Sequence, residues 1–108
     1  MFRNYNLPPY DIIQGDNDSL ILDIAVPGFR REDLECTFED DVLNIKSVTN
    51  PLATKKVLRQ GIKSDIDANF TFQSGMKIDM ITIGDGILRV LASKILPLPN
   101  NSKYIQIQ

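Results

Sequence analysis

Histidine is absent from all 108 residues, and there is a single cysteine, Cys36. Without an imidazole there is no Ser-His-Asp or Cys-His catalysis, no His-bearing metal site and no ordinary proton shuttle near neutral pH. One thiol can neither close an internal disulfide nor build a structural zinc site. Cys36 stands between Glu35 and Thr37 in an alternating run. It reads as a small apolar residue on a strand face, with no neighbouring base or helix start to activate it. Long apolar runs are missing too: no stretch approaches the ~18 residues a membrane span needs. The opening MFRNYNLPP has neither the apolar run nor the small-residue cleavage site of a secretory signal. A basic excess is also lacking, since 12 Lys and Arg face 14 Asp and Glu for a net charge of −2, which gives no footprint for nucleic acid. No Gly-rich loop ending in Lys-Ser/Thr is present to hold a nucleotide phosphate. The expectations are no cofactor, no metal, no nucleic-acid partner, no membrane span and a cytoplasmic location. A carboxylate-only enzyme is the class of catalyst these absences leave, and no cluster of residues supports it.

What is present is ordinary globular composition, 43% apolar and 24% charged, in a length that makes one domain. Apolar residues alternate with polar ones through Ser19 to Val26, Leu34 to Glu39, Val42 to Val48, Asp65 to Phe72 and Ile87 to Ala92, the period of half-buried strands. Tyr10 to Gln14 adds a further short strand. Met76, Ile78 and Met80 share one parity, then Ile81 and Ile83 take the other. A strand changes parity by inserting one residue, so a β-bulge is expected near Met80 and Ile81; the alternative is a strand covered on both faces. Gly15 to Asp18, Pro27-Gly28, Asp40-Asp41 and Gly84-Asp85-Gly86 supply the turns. A single helical turn is expected at Arg30 to Leu34. Asp16-Asn17-Asp18 lacks the rest of a calcium loop, and Gly84-Asp85-Gly86 lacks the third Gly and following helix of a dinucleotide site; both read as turns. Thr49 to Lys56 is a long loop. The acidic stretch of Glu32, Asp33, Glu35, Glu39, Asp40 and Asp41 and the basic one of Lys55, Lys56, Arg59 and Lys63 read as solvated faces or as complementary surfaces between subunits. The chain ends on Ile105-Gln106-Ile107-Gln108 after Pro97 and Pro99. Its two isoleucines lie on one side of an extended segment.

Several fragments occur in a telling order: Pro8-Pro9-Tyr10-Asp11-Ile12, Val26-Pro27-Gly28-Phe29, Glu32-Asp33-Leu34, Val42-Leu43-Asn44-Ile45, Val57-Leu58-Arg59-Gln60-Gly61-Ile62, Gly86-Ile87-Leu88 and Ile105-Gln106-Ile107. From about Pro8 to Gln108 they resemble the α-crystallin domain of the small heat-shock proteins, and most resemble the bacterial inclusion-body-binding type. Three departures stand out: Ile81 where the family's signature usually has Ala, Ala68 where an interface arginine is usual, and only nine residues before Tyr10 where members carry a few dozen. The resemblance implies an all-β, immunoglobulin-like antiparallel two-sheet sandwich over residues 10–92, a short N-terminal arm over 1–9 and a C-terminal extension over 93–108. It implies an ATP-independent holdase whose partners are unfolded client proteins and further copies of itself, as a homodimer and larger oligomers. Ile105 and Ile107 are the expected oligomerisation tail. Its groove, shared with clients, would lie between the strand of Leu34 and Cys36 and the strand of Ile78 and Met80. The other reading for the tail is packing on its own sandwich. The dimer interface would set Val57 and Leu58, on a short strand within the loop, beside Tyr10 and Ile12 of the other subunit. The alternative function is a non-chaperone interaction module, a co-chaperone-like docking domain, on the same sandwich.

Overall fold

A computed structural model describes residues 7–95 together with 107 and 108. Seven strands run β1 (Tyr10–Gln14), β2 (Leu20–Ala25), β3 (Leu34–Glu39), β4 (Val42–Ser47), β5 (Asp67–Thr71), β6 (Met76–Gly84) and β7 (Ile87–Lys94), with one 3-10 turn at Arg31–Asp33. They form a four-stranded antiparallel sheet, β1-β2-β7-β6, and a three-stranded one, β3-β4-β5. Alternation predicts the strands, and the two-sheet sandwich is the architecture that the family resemblance implies. Its core is the set of residues that alternate inward, with Leu22, Ile24, Val26, Leu43, Ile45, Ile81, Leu88 and Val90 almost wholly buried.

Local chemistry fixes the register. The β3–β4 and β6–β7 hairpins turn on Asp40-Asp41 and Asp85-Gly86, with φ of 52°, 65°, 53° and 76°. Two consecutive positive φ values make the type I′ turn, whose twist matches the strands it joins; Asp and Gly tolerate it best. The bulge falls between Ile78 and Met80, one step earlier than the parity change suggests. Asp79 is the extra residue. From there on, Met80 is opposite the outward Leu91 and Ile81 is opposite the buried Val90. A β-branched residue thus takes the core position and the thioether is turned to the outer face.

Residues 48–66 contain no strand, so the short strand expected around Val57 and Leu58 is not formed within one chain. The root of this loop is nonetheless fixed. Asp33, 5% exposed, accepts from the Thr49 hydroxyl and from the Arg30 backbone N–H at 2.9 Å, and its carbonyl accepts from Val48 at 2.8 Å. It is therefore a structural hub rather than part of a solvated acidic face. Asn50 closes the neck by donating to the Lys63 carbonyl at 2.9 Å and to Asp65 Oδ1 at 2.7 Å. The Thr49 hydrogen bond, then that from Arg30, holds the Asp33 carboxyl below its ordinary range. Its folded pKa is below its unfolded one, so its stabilisation is complete above about pH 4 and lost as pH falls through the folded value. Asp33→Asn should lower the Tm at pH 7, and thermal melts of variant and parent should converge in strong acid. Equal melts at pH 7 would show that the hub contributes nothing.

Candidate protein-binding edges and grooves

A sandwich of two open sheets has four edge strands: β1, β6, β3 and β5. The hydrogen bonds flanking the ladders set which backbone groups point off each edge, because pairing alternates along an antiparallel strand. Ala25 N donates to Pro9 O, so on β1 the N–H and C=O groups of Tyr10, Ile12 and Gln14 point away from β2. Val48 N donates to Asp33 O, so on β3 those of Leu34, Cys36 and Phe38 point outward. Phe72 N donates to Asp41 O and Ser47 N to Ile66 O, so on β5 the open groups belong to Asp67, Asn69 and Thr71. On β6, Ile81 is open, and its carbonyl accepts from Gln108 N at 2.6 Å.

That last bond reports where the tail goes. Ile107 bridges Ile81 in parallel register and packs, half-buried, against the core; Ile105 lies outside the described residues. Within one chain the end of the tail therefore adds to the β6 edge. That edge sits on the β3 side of the sandwich, because Tyr10 of β1 packs edge-on against Phe70 of β5, centroids 5.1 Å apart, at the opposite side. Leu34 and Ile78 are buried and Cys36 is half-buried along this groove. Met80 is not in it: the bulge at Asp79 turns it to the outer face, 39% exposed, and Ile81 takes the inward place. The Ile81 position could have been found from the sequence by preferring the β-branched residue for the core once a bulge was inferred.

Burial, with the neighbouring Glu35 charge as a smaller cause, pushes the Cys36 thiol up to about 12. At pH 8 the thiolate is scarce by roughly a thousandfold relative to a thiol of ordinary pKa near 9.0. Alkylation of Cys36 by iodoacetamide, followed by mass spectrometry, should be slower by about that factor than in the denatured chain. Equal rates would mean that water reaches the groove at Cys36.

The proposed interface residues lie on the other side. Every residue of β1 is exposed, Ile12 by 60%. The loop carries Leu58 and Ile62 at 93% and 68% exposed, with Val57 also exposed. Tyr10 and Ile12 face inward, opposite Ile24 and Leu22, yet they are only partly covered, Tyr10 by Phe70, because four strands overhang three. Beneath them is a cleft of about 320 Å³, lined also by Leu20, Phe70, Phe72 and Met76. The sequence does not reveal this cleft, since alternation marks the inward residues but not the strand count of the facing sheet. A second missed feature is a row on the outer face, Ile13, Ile21, Leu91 and Met80, aligned across all four strands of the larger sheet. Below it Arg89 grips Asp23 with two bonds of 2.8 Å, which lowers the Asp23 carboxyl pKa. Among the described residues no cluster of His, Cys, Asp and Glu could hold a metal, and no helix is long and apolar enough to cross a membrane.

An α-crystallin sandwich with a docked terminal isoleucine defines a small heat-shock protein, and comparison with known proteins agrees. Residues 12–108 match the Hsp20/alpha crystallin family, and the chain belongs to that family, with its chaperone role, its binding of client proteins and its oligomerisation. Small heat shock protein IbpB of Escherichia coli is 31% identical over 97% of this chain and 75% of its own length. Among solved structures, a C-terminally truncated form of small heat shock protein AgsA from Salmonella typhimurium superposes with a TM-score of 0.66 at 26% identity, over 93% of this chain and 98% of the other. The small heat shock protein of Synechococcus phage S-ShM2 gives a TM-score of 0.64 at 25% identity, over 83% and 97%.

Proposed function

We propose that the chain is an ATP-independent holdase of the cytoplasm, built as a short arm at 1–9, a client-holding sandwich at 10–92 and a linking extension at 93–108. The observation that carries this reading is the set of uncovered strand edges backed by apolar side chains, a surface most folded proteins avoid because it recruits other chains. Such edges bind extended polypeptide by strand addition, with side-chain pockets for alternate residues. The homodimer forms where Val57 and Leu58 of one loop pair beside Tyr10 and Ile12 of a second copy. Open backbone groups on β1 and the exposure of Leu58 support this pairing. Charge supports it as well: Lys55, Lys56, Arg59 and Lys63 would approach Asp11, Asp16 and Asp18 around β1. Larger assemblies form when Ile105 and Ile107 enter the groove of Leu34, Cys36, Ile78 and Ile81 on a neighbour.

The experiment is light scattering of a heat-denatured client with and without the protein. Suppression of scattering at up to a few-fold molar excess, unaffected by added ATP, is the expected result. No suppression, with the protein itself folded, would favour the interaction module without holdase activity.

A further inference from the structure

Taking the holdase reading as its basis, we propose that the cleft between β1 and β5 is a client site, in which an extended apolar segment with basic residues at its ends adds as a fourth strand to β5. The sandwich places four strands over three, so β1 has no strand beneath it: Tyr10 meets only the edge of Phe70, and Ile12 is 60% exposed. The gap is bounded by the open edge of β5, where the backbone groups of Asp67, Asn69 and Thr71 point into it. A strand laid there would satisfy those groups, and its alternate side chains would meet Phe70, Phe72, Tyr10 and Ile12.

The occupant follows from size and charge. About 320 Å³ is at the lower end of ligand pockets and admits only a few side chains. A second folded copy would need roughly 800 Å² a side for a stable interface, far more than the cleft offers. No charged residue lines the cleft, but acidic residues stand at both ends of its hydrogen-bonding edge: Asp65 and Asp67 at the start of β5, and the Asp40-Asp41 turn where Phe72 N meets Asp41 O. An apolar segment flanked by lysine or arginine fits this edge best. In the tail groove on the opposite side Ile107 already bridges Ile81, and a second apolar cleft, of about 300 Å³ at Leu7, Pro9, Phe29 and Ile62, has no open β5 edge along it; the cleft between β1 and β5 joins an apolar lining to unpaired strand backbone.

The probe is a fluorescent nonapeptide with leucine at alternate positions and lysine at both ends. Thr71→Pro is the test variant, because proline is tolerated on an open edge and the Thr71 N–H bonds nothing within the chain; Thr71→Val keeps the edge. The expected result is peptide binding by fluorescence anisotropy, with slowed amide exchange at Asn69 and Thr71. Affinity should fall about tenfold in Thr71→Pro and be unchanged in Thr71→Val, with particle size the same in both. Protection at Ile81 instead would overturn the inference and move the site to the tail groove. Protection at Asn69 and Thr71 that grows with protein concentration and without peptide would also overturn it, making the cleft an interface between copies. Absence of peptide binding while client aggregation is still suppressed would refute this site alone; loss of suppression as well would refute the holdase reading.

Discussion

Changing Ile105 and Ile107 together to serine should reduce any assembly larger than a dimer to dimers, leaving the sandwich folded. Ile107 packs on the core from outside, against an edge whose strand ladder is complete without it, so its loss costs little of the intramolecular core. Burying two isoleucines contributes about 3–6 kcal/mol gross. Ordering four or five tail residues costs about 1–2 kcal/mol each. One docked tail is thus near balance, and an assembly closed by many tails loses every link at once. Intrachain docking at Ile81 would compete with the proposed docking on a neighbour, because a short tether presents the chain's own tail at roughly millimolar effective concentration. Exchange of tails between subunits would follow from that competition. Sedimentation velocity of parent and double variant at equal concentration measures the effect. An unchanged size, starting from a parent larger than a dimer, would show that the tail does not link subunits. The vacated groove should also raise the alkylation rate of Cys36.

The strands were readable from the sequence because inward residues along β2, β4 and β7 keep strict period two and are bounded by Asp and Gly turns that allow only a few backbone conformations; their closure into a sandwich rather than a barrel came from the family resemblance. Groove geometry was less so. Met76, Ile78 and Met80 continue one parity through the bulge, so the apolar pattern alone puts Met80 in the core; the choice between Met80 and Ile81 is made by packing against Val90 and Leu91. Val57 and Leu58 are expected on a short strand, yet in one chain they have no strand to pair with. Their exposure is a property of the isolated subunit, which a sequence of local preferences cannot report. The hubs at Asp33 and Asn50 were invisible for a different reason: each joins residues 13 to 16 positions apart through side-chain bonds, with no periodicity to betray them.

Ile12→Pro should turn the proposed dimer into a monomer with little change in the stability of the subunit. The hydrogen bond from Ala25 to Pro9 fixes the phase of the β1–β2 ladder, so the Ile12 N–H points to the open side and bonds nothing within its own chain. Proline is accepted at such edge positions. The residue before it must be extended, and Asp11 already lies within β1. A strand arriving from the second copy would lose one backbone bond, worth about 0.5–1.5 kcal/mol, and would meet the proline ring where it must approach closely. Ile13→Pro is the informative contrast: Ile13 pairs Ile21 with its bonds turned toward β2, so proline there should detach β1 and lower the Tm. Sedimentation equilibrium and thermal melts of both variants separate the two effects. A dimer that survives Ile12→Pro with unchanged affinity would place the interface elsewhere than on β1, and Val57 and Leu58 would then need another partner.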